Sequence, residues 1–285
     1  MRSVILLLAT PLLARSPQTF LQDIVYAEAD GHELKLDLHL PEAGLNPPLV
    51  VWIHGGAWRS GSKDNPPILY LLEQGYAIAS IDYRLSPVAK YPALVHDCKG
   101  AIRWLRANRK QYRYDASKIA LLGSSAGGHM VALIGVTNGS KEHEGTVGGN
   151  LRQSSRVHGI VDYYGPTNFL TILQQSTPHG LSVRVPALQL LLGGRPENHR
   201  ELARLASPVF HVDKKDPPLL MLHGDQDPQV PIHQSHEMHH RYKQLGLDAH
   251  LEVIHGGKHG GELFHDAPRR KLVTDFLDRL LKSDP

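Results

Sequence analysis

The chain has one cysteine, Cys98, among its 285 residues. A lone mid-chain thiol forms no internal disulfide and is no lipoprotein-type N-terminal cysteine, so a disulfide framework is excluded. Long apolar runs are also missing. The stretch 4–13, after Arg2, is about half of the roughly 20 residues that a bilayer-spanning helix needs, and no stable membrane insertion is expected. A strong charge of one sign is absent, since 31 Lys and Arg against 28 Asp and Glu leave a formal +3. A modest basic cluster at 103–113 reads as a solvated helix end, which argues against a nucleic-acid partner. No internal repeat or low-complexity linker divides the chain. Histidine is plentiful, at 19. His236 and His240 have the i, i+4 spacing of metal ligands on an expected helix over 231–245, but the pair is read as having neither a third ligand nor an H-E-x-x-H pattern. Neither a metal nor another cofactor is expected.

What is present is an alternation. Apolar runs at 48–53, 76–82, 118–122, 157–162, 218–222 and 249–254 have the unbroken character of strands buried on both faces. Helical spacing follows at about 64–74, 92–108, 126–136, 231–245 and 268–281. This predicts an α/β fold with a mainly parallel sheet and helices on both faces, in one domain over 17–285. Residues 33–40 alternate polar and apolar, as an antiparallel strand at the sheet's beginning would. Cys98 falls inside the 92–108 helix and is expected in the core. Two segments break the pattern. Residues 138–156 are glycine-rich and charged and read as a surface loop, and 165–216 is expected to be a small cap insert. The cap should hold only one or two short helices, clearest at 197–205, because Pro166, Pro178, Pro186, Pro196 and Pro208 disfavour a long one.

The run Gly123-Ser124-Ser125-Ala126-Gly127 sits where a strand must turn sharply into a helix. That is the G-x-S-x-G nucleophile elbow, whose glycines leave room for a strained backbone that pushes the Ser125 hydroxyl out at the top of the sheet. Earlier, His54-Gly55-Gly56-Ala57-Trp58 follows a buried-strand run and offers unobstructed backbone N–H groups. Gly56 and Ala57, with the Ala126 N–H beside the nucleophile, are the expected oxyanion donors. Trp58, closing the loop, is expected to touch substrate. The acid and base must follow in the chain order Ser, Asp or Glu, His. Asp225 and Asp227 compete on the loop after 218–222. Asp227 is favoured, lying deeper and stiffened by Pro228, while Asp225 next to Gly224 suits a hydrogen bond to its own turn. Beyond 249–254, His255 is still at the strand end, so His259 on the following glycine-rich loop is the favoured base.

His54-Gly-Gly-Ala-Trp58, Asp82-Tyr-Arg-Leu-Ser-Pro87, Gly123-Ser-Ser-Ala-Gly-Gly128, Asp162-Tyr-Tyr-Gly-Pro166 and His223-Gly-Asp-Gln-Asp227 together resemble the acetyl esterase/lipase group of α/β-hydrolases. Within it they most resemble the bacterial feruloyl/acetyl esterase branch (BD-FAE-like). The resemblance runs from about 25 to 281. It implies an α/β-hydrolase fold and Ser125, Asp227 and His259 as a triad, agreeing with the choice made from the residues. It also implies acetyl or feruloyl esters, small molecules or plant polysaccharides, as substrates. The chain departs from many relatives in having Ala57 where they have a third glycine, which a backbone donor tolerates. An amidase resembling kynurenine formamidase shares the loop and triad, and a non-catalytic receptor or adhesion protein on the same fold is a further alternative. The N-terminus, Arg2 followed by 4–13, resembles a secretory signal ending near 16, which implies a secreted or periplasmic protein.

Overall fold

Apolar side chains fill both faces of the central strands, and the period-two alternation of a strand divides them between two cores. In the computed structural model, which describes residues 19–42 and 46–282, the chain runs β1 (Thr19–Ala29), β2 (His32–Leu40), β3 (Pro48–Ile53), β4 (Ala77–Ile81), α1 (Ala93–Tyr112), β5 (Asp115–Ser124) and α2 (Ala126–Val136). It continues through α3 (Lys141–Glu144), β6 (Gly159–Tyr163), α4 (Ile172–Gln175), α5 (Pro178–Leu192) and α6 (Arg200–Leu205). It closes with β7 (Leu219–Gly224), α7 (His233–Gln244), β8 (Ala249–Ile254) and α8 (Ala267–Leu281). The expected signal segment at 1–16 lies outside the described residues.

The eight strands form one sheet in the order β1-β2-β4-β3-β5-β6-β7-β8. β2 is antiparallel to both neighbours, and from β4 to β8 every pairing is parallel. This is the α/β-hydrolase fold. Leu49, Val51 and Ile53 of β3 pack with Leu94, Cys98 and Ile102 of α1, Met130 and Leu133 of α2 and Leu188 of α5. Val50 and Trp52 turn to the opposite face, against Val273, Leu277 and Leu281 of α8. Burying each such side chain contributes about 1.5–3 kcal/mol, so the two sandwiched faces fix the register of β3. Among the described residues no helix is long and apolar enough to cross a membrane.

Three elements differ from expectation. β1 is an added edge strand with most of its residues at least partly exposed, so it lacks the apolar run that marks the central strands. The expected 64–74 helix is reduced to a 3₁₀ turn at Leu69–Leu72, following Pro66 and Pro67. In the opposite sense, α5 runs unbroken for 15 residues with Pro186 inside it. Thr177 caps it by accepting from the Gly180 N–H at 3.0 Å, Pro178 occupies its first turn, and Gly193 ends it in a left-handed conformation. Good ends and the buried face of Ala187, Leu188, Leu191 and Leu192 outweigh the one backbone bond that Pro186 forfeits.

Candidate active site

β5 delivers Ser125 to the carboxyl edge of the sheet, and α2 begins one residue later. Ser125 has φ +54°, in the left-handed region that a side chain rarely adopts. Its N–H donates to the Tyr163 carbonyl at 2.8 Å, which ties the elbow to β6. The turn also needs a close approach. A Cβ on Gly127 would collide with the carbonyl of Ile53 on β3, and one on Gly128 with the Asp162 carboxylate. The glycines let α2 start tight against the sheet.

Asp227 comes from the loop after β7 and His259 from the loop after β8. The Asp227 side chain is fully buried, and its Oδ2 lies 2.6 Å from His259 Nδ1. A carboxylate only accepts, so Nδ1 carries the proton, and Nε2 is left to accept from the Ser125 hydroxyl at 2.8 Å. Backbone N–H groups of Gln229 and Val230 reach Asp227 Oδ1 at 2.7 and 3.0 Å. Burial pushes this carboxyl up, but hydrogen bonds from His223, His259 and Val230 overcome it and hold Asp227 well below the usual carboxylate range. Asp225 and His255, the alternatives read from the sequence, pair with each other instead, Nδ1 to Oδ2 at 2.9 Å, with the His255 ring 87 % exposed. Neither joins the chain that ends on Ser125.

Gly56, Ala57 and Trp58 all have positive φ, at +105°, +54° and +59°. This turns the loop so that the Gly56 carbonyl takes the N–H groups of Arg59 and Ser60, both at 3.1 Å. Among the described residues the N–H groups of Gly56 and Ala57 have no backbone acceptor. The Ala126 N–H, at the first position of α2, is free by helix geometry. The motif at 82–87 braces this loop. Tyr83 stacks on the His54 ring at 4.5 Å and donates to the His54 carbonyl at 3.0 Å, while Ser86 N–H donates to the Trp58 carbonyl at 2.7 Å. Arg84, which anchors the motif, forks onto fully buried Asp97.

Trp58, expected at the substrate, is fully buried. Its indole N–H donates to His129 Nδ1 at 3.1 Å, and the His129 and Phe169 rings stand 5.2 and 5.4 Å away. It underpins the loop from the protein side. Several residues around the site carried no role in the sequence reading. His223 faces Asp227 Oδ2 at 3.4 Å and donates from Nε2 to the Val230 carbonyl at 2.9 Å, fixing the acid loop. Tyr164 has φ +46° and lays its ring against His259 at 4.7 Å. Both lie inside the motifs at 223–227 and 162–166, and that clustering was the available signal. Contrary to the reading of this pair as lacking the pattern, the α7 run His236-Glu237-Met238-His239-His240 does spell H-E-x-x-H. Its Glu237 carboxylate, however, is taken by Asn168 at 2.6 Å, Thr171 at 2.9 Å and Gln175 at 2.5 Å. Among the described residues no group of three His, Cys, Asp or Glu could hold a metal ion.

The chain is similar to known proteins. The sequence profile of the family BD-FAE matches residues 36–242. Esterase LipC of Mycobacterium tuberculosis is 31 % identical over 245 residues, covering 83 % of this chain and 59 % of LipC. Esterase LipQ of the same organism is 31 % identical over 220 residues, covering 75 % of this chain and 50 % of LipQ. The chain thus spans between half and three fifths of the length of these curated relatives. A solved truncated form of a carbohydrate esterase from gut microbiota is 31 % identical, with a TM-score of 0.83, covering 93 % of this chain and 97 % of that one.

Proposed function

The chain belongs to the BD-FAE family, and from that premise we propose that it is a serine carboxylic ester hydrolase acting on short-acyl esters, acetyl or feruloyl, of small molecules or polysaccharides. The observation that carries the reading is the unbroken relay from Asp227 through His259 to Ser125, at 2.6 and 2.8 Å. Ser125 Oγ attacks the ester carbonyl while His259 Nε2 takes its proton, and Asp227 stabilises the imidazolium that results. The carbonyl oxygen becomes an oxyanion facing the N–H groups of Gly56, Ala57 and Ala126, each such donor being worth about 3–4 kcal/mol. The tetrahedral adduct expels the alcohol, which leaves with the proton from His259. Water, deprotonated by His259, then attacks the Ser125 acyl ester and releases the acid. The likeness to a carbohydrate esterase supports a sugar-bound ester as substrate.

Turnover of p-nitrophenyl acetate, acetylated xylan, methyl ferulate and N-formylkynurenine tests the reading. Ser125→Ala is expected to lower kcat by at least about 10⁴ with the fold intact, and Ser124→Ala far less. Comparable losses from the two would displace the nucleophile. Cleavage of N-formylkynurenine with no ester hydrolysis would make the protein an amidase.

A further inference from the structure

Buried arginines in this fold usually spend their donors on fixed acceptors. Arg103 reaches the Glu144 carboxylate and the Gly149 and Val147 carbonyls, and Arg106 the Ala116 and Arg156 carbonyls. Arg184 does not. It projects from the middle of α5 with 1 % of its surface exposed, yet neither Nε nor Nη1 has a hydrogen-bond partner among the described residues. Unpaired buried donors cost on the order of 1–3 kcal/mol each, and the Trp58 face the guanidinium stands over accepts no hydrogen bond from them, so acceptors brought by a ligand would recover that cost.

Its position relates it to the catalytic relay. The guanidinium carbon stands 5.8 Å from the centre of the Trp58 ring, beneath the oxyanion loop. The start of α5 rests on the acid loop, where Thr177 donates to the Pro228 carbonyl at 2.9 Å. Asp227 and Arg59 are both within electrostatic reach of Arg184. Arg184 thus lies by the Trp58 end of the oxyanion loop and within reach of Asp227. Burial draws it down to about 10, with Asp227 opposing, so it is a cation at neutral pH. Asp227 is a poor partner for that charge, because His259, Gln229 and Val230 already occupy its oxygens. Exposed Arg59 adds a second cation with no ion pair among the described residues. Two guanidinium groups within reach of one committed carboxylate leave a surplus positive charge beside Asp227.

We propose that Arg184 recognises an anion in the substrate site, and that the preferred esters carry a carboxylate near the scissile bond, on the acyl or the alcohol part. The planar guanidinium fork matches a carboxylate through two parallel hydrogen bonds. The proposal rests on the esterase reading and deepens it. Two matched pairs test it: p-nitrophenyl hemisuccinate against p-nitrophenyl butyrate for the acyl side, and 4-acetoxybenzoate against its methyl ester for the alcohol side. In Arg184→Met the anionic-to-neutral ratio of kcat/KM is expected to fall about 10- to 100-fold for one pair, and that pair identifies the side. Unchanged ratios in both pairs would overturn the proposal. If Arg184→Met does not fold, Arg184→Lys keeps the charge without the fork and should lower the same ratio by a smaller factor. A readout without turnover separates this from the esterase reading. Calorimetric titration of Ser125→Ala with succinate or 4-hydroxybenzoate should show binding that the added Arg184→Met removes. Absence of binding by both acids would also overturn the proposal, whereas binding without any ester cleavage would leave it standing and reject the esterase.

Discussion

His129 sits where a protonated ring could not be accommodated. Trp58 Nε1 can only donate and the Ala206 carbonyl, at 2.7 Å, can only accept, so the proton belongs on Nε2 and Nδ1 must stay bare. Burial pushes this imidazole down to about 4, against a backbone hydrogen bond to Ala206 that opposes the shift. Between about pH 6.5 and pH 4 the unfolded chain therefore binds a proton that the folded one refuses, so stability rises with pH across that window. The stability is fully present above pH 6.5 and is lost as the pH falls through 4, by roughly 3 kcal/mol for a shift of this size. Asp162, which burial lifts to about 6 against a hydrogen bond from Gly165, acts in the opposite sense over much of the same range. The comparison must therefore be made against His129→Gln, whose amide can still accept from Trp58 and donate to Ala206. Urea unfolding at pH 7 and pH 4 should show the wild type losing about 3 kcal/mol relative to the variant. Nitrogen NMR at pH 5 should show a neutral ring protonated on Nε2. Parallel pH curves, or a ring that titrates above pH 6, would contradict this account.

At the scale of elements, the elbow depends on how closely α2 begins behind β5. Gly127 has no room for a methyl group, because the obstacle is the Ile53 carbonyl of a central strand that cannot move aside. Gly127→Ala should cost about 3 kcal/mol by urea unfolding and reduce kcat/KM as well, since Ser125 shifts with the helix start. Gly139→Ala has φ +79° but nothing near its missing Cβ, and should cost only about 1 kcal/mol with activity retained. Equal losses would mean that backbone conformation, not the collision, decides. This elbow was legible in the sequence because one short motif carries strand end, glycines, nucleophile and helix start together. The pairing of Asp227 and His259 with Ser125 was legible for a related reason, since the expected chain order restricts the partners of the serine to two loops. The choice within each loop needed burial, and the pairing of the surplus Asp225 with the surplus His255 could not be seen without it. β1 escaped notice because an exposed edge strand has no apolar run. α5 was underestimated because proline density says nothing about the buried face that holds the helix together. Arg184 gave no signal at all, since its meaning lies in the partners it lacks.

For the molecule as a whole, the question is how much acyl chain the site can bury. Proline density no longer argues against a lid, because α5 forms in spite of it. The way the region 165–216 is tied down does. The Tyr91 N–H donates to the Leu191 carbonyl at 2.9 Å, Thr177 holds the Pro228 carbonyl, and Glu237 of α7 gathers Asn168, Thr171 and Gln175. Leu188, Leu191 and Leu192 of α5 face the core, and Leu190 is the one large apolar residue of the region with a strongly exposed side chain. A helix packed and bonded in this way cannot swing aside to uncover a broad apolar surface. Ser125 itself is only 7 % exposed, so an acyl group bound at its hydroxyl is confined. Each methylene gains about 0.8 kcal/mol only while it enters a pocket, and nothing once it remains in water. Values of kcat/KM on p-nitrophenyl esters should therefore peak between acetate and butyrate and fall steeply by octanoate. The rate should pass smoothly through the solubility limit of the substrate. A maximum at decanoate or longer, or a jump in rate once substrate droplets form, would show that this region opens as a lipase lid does.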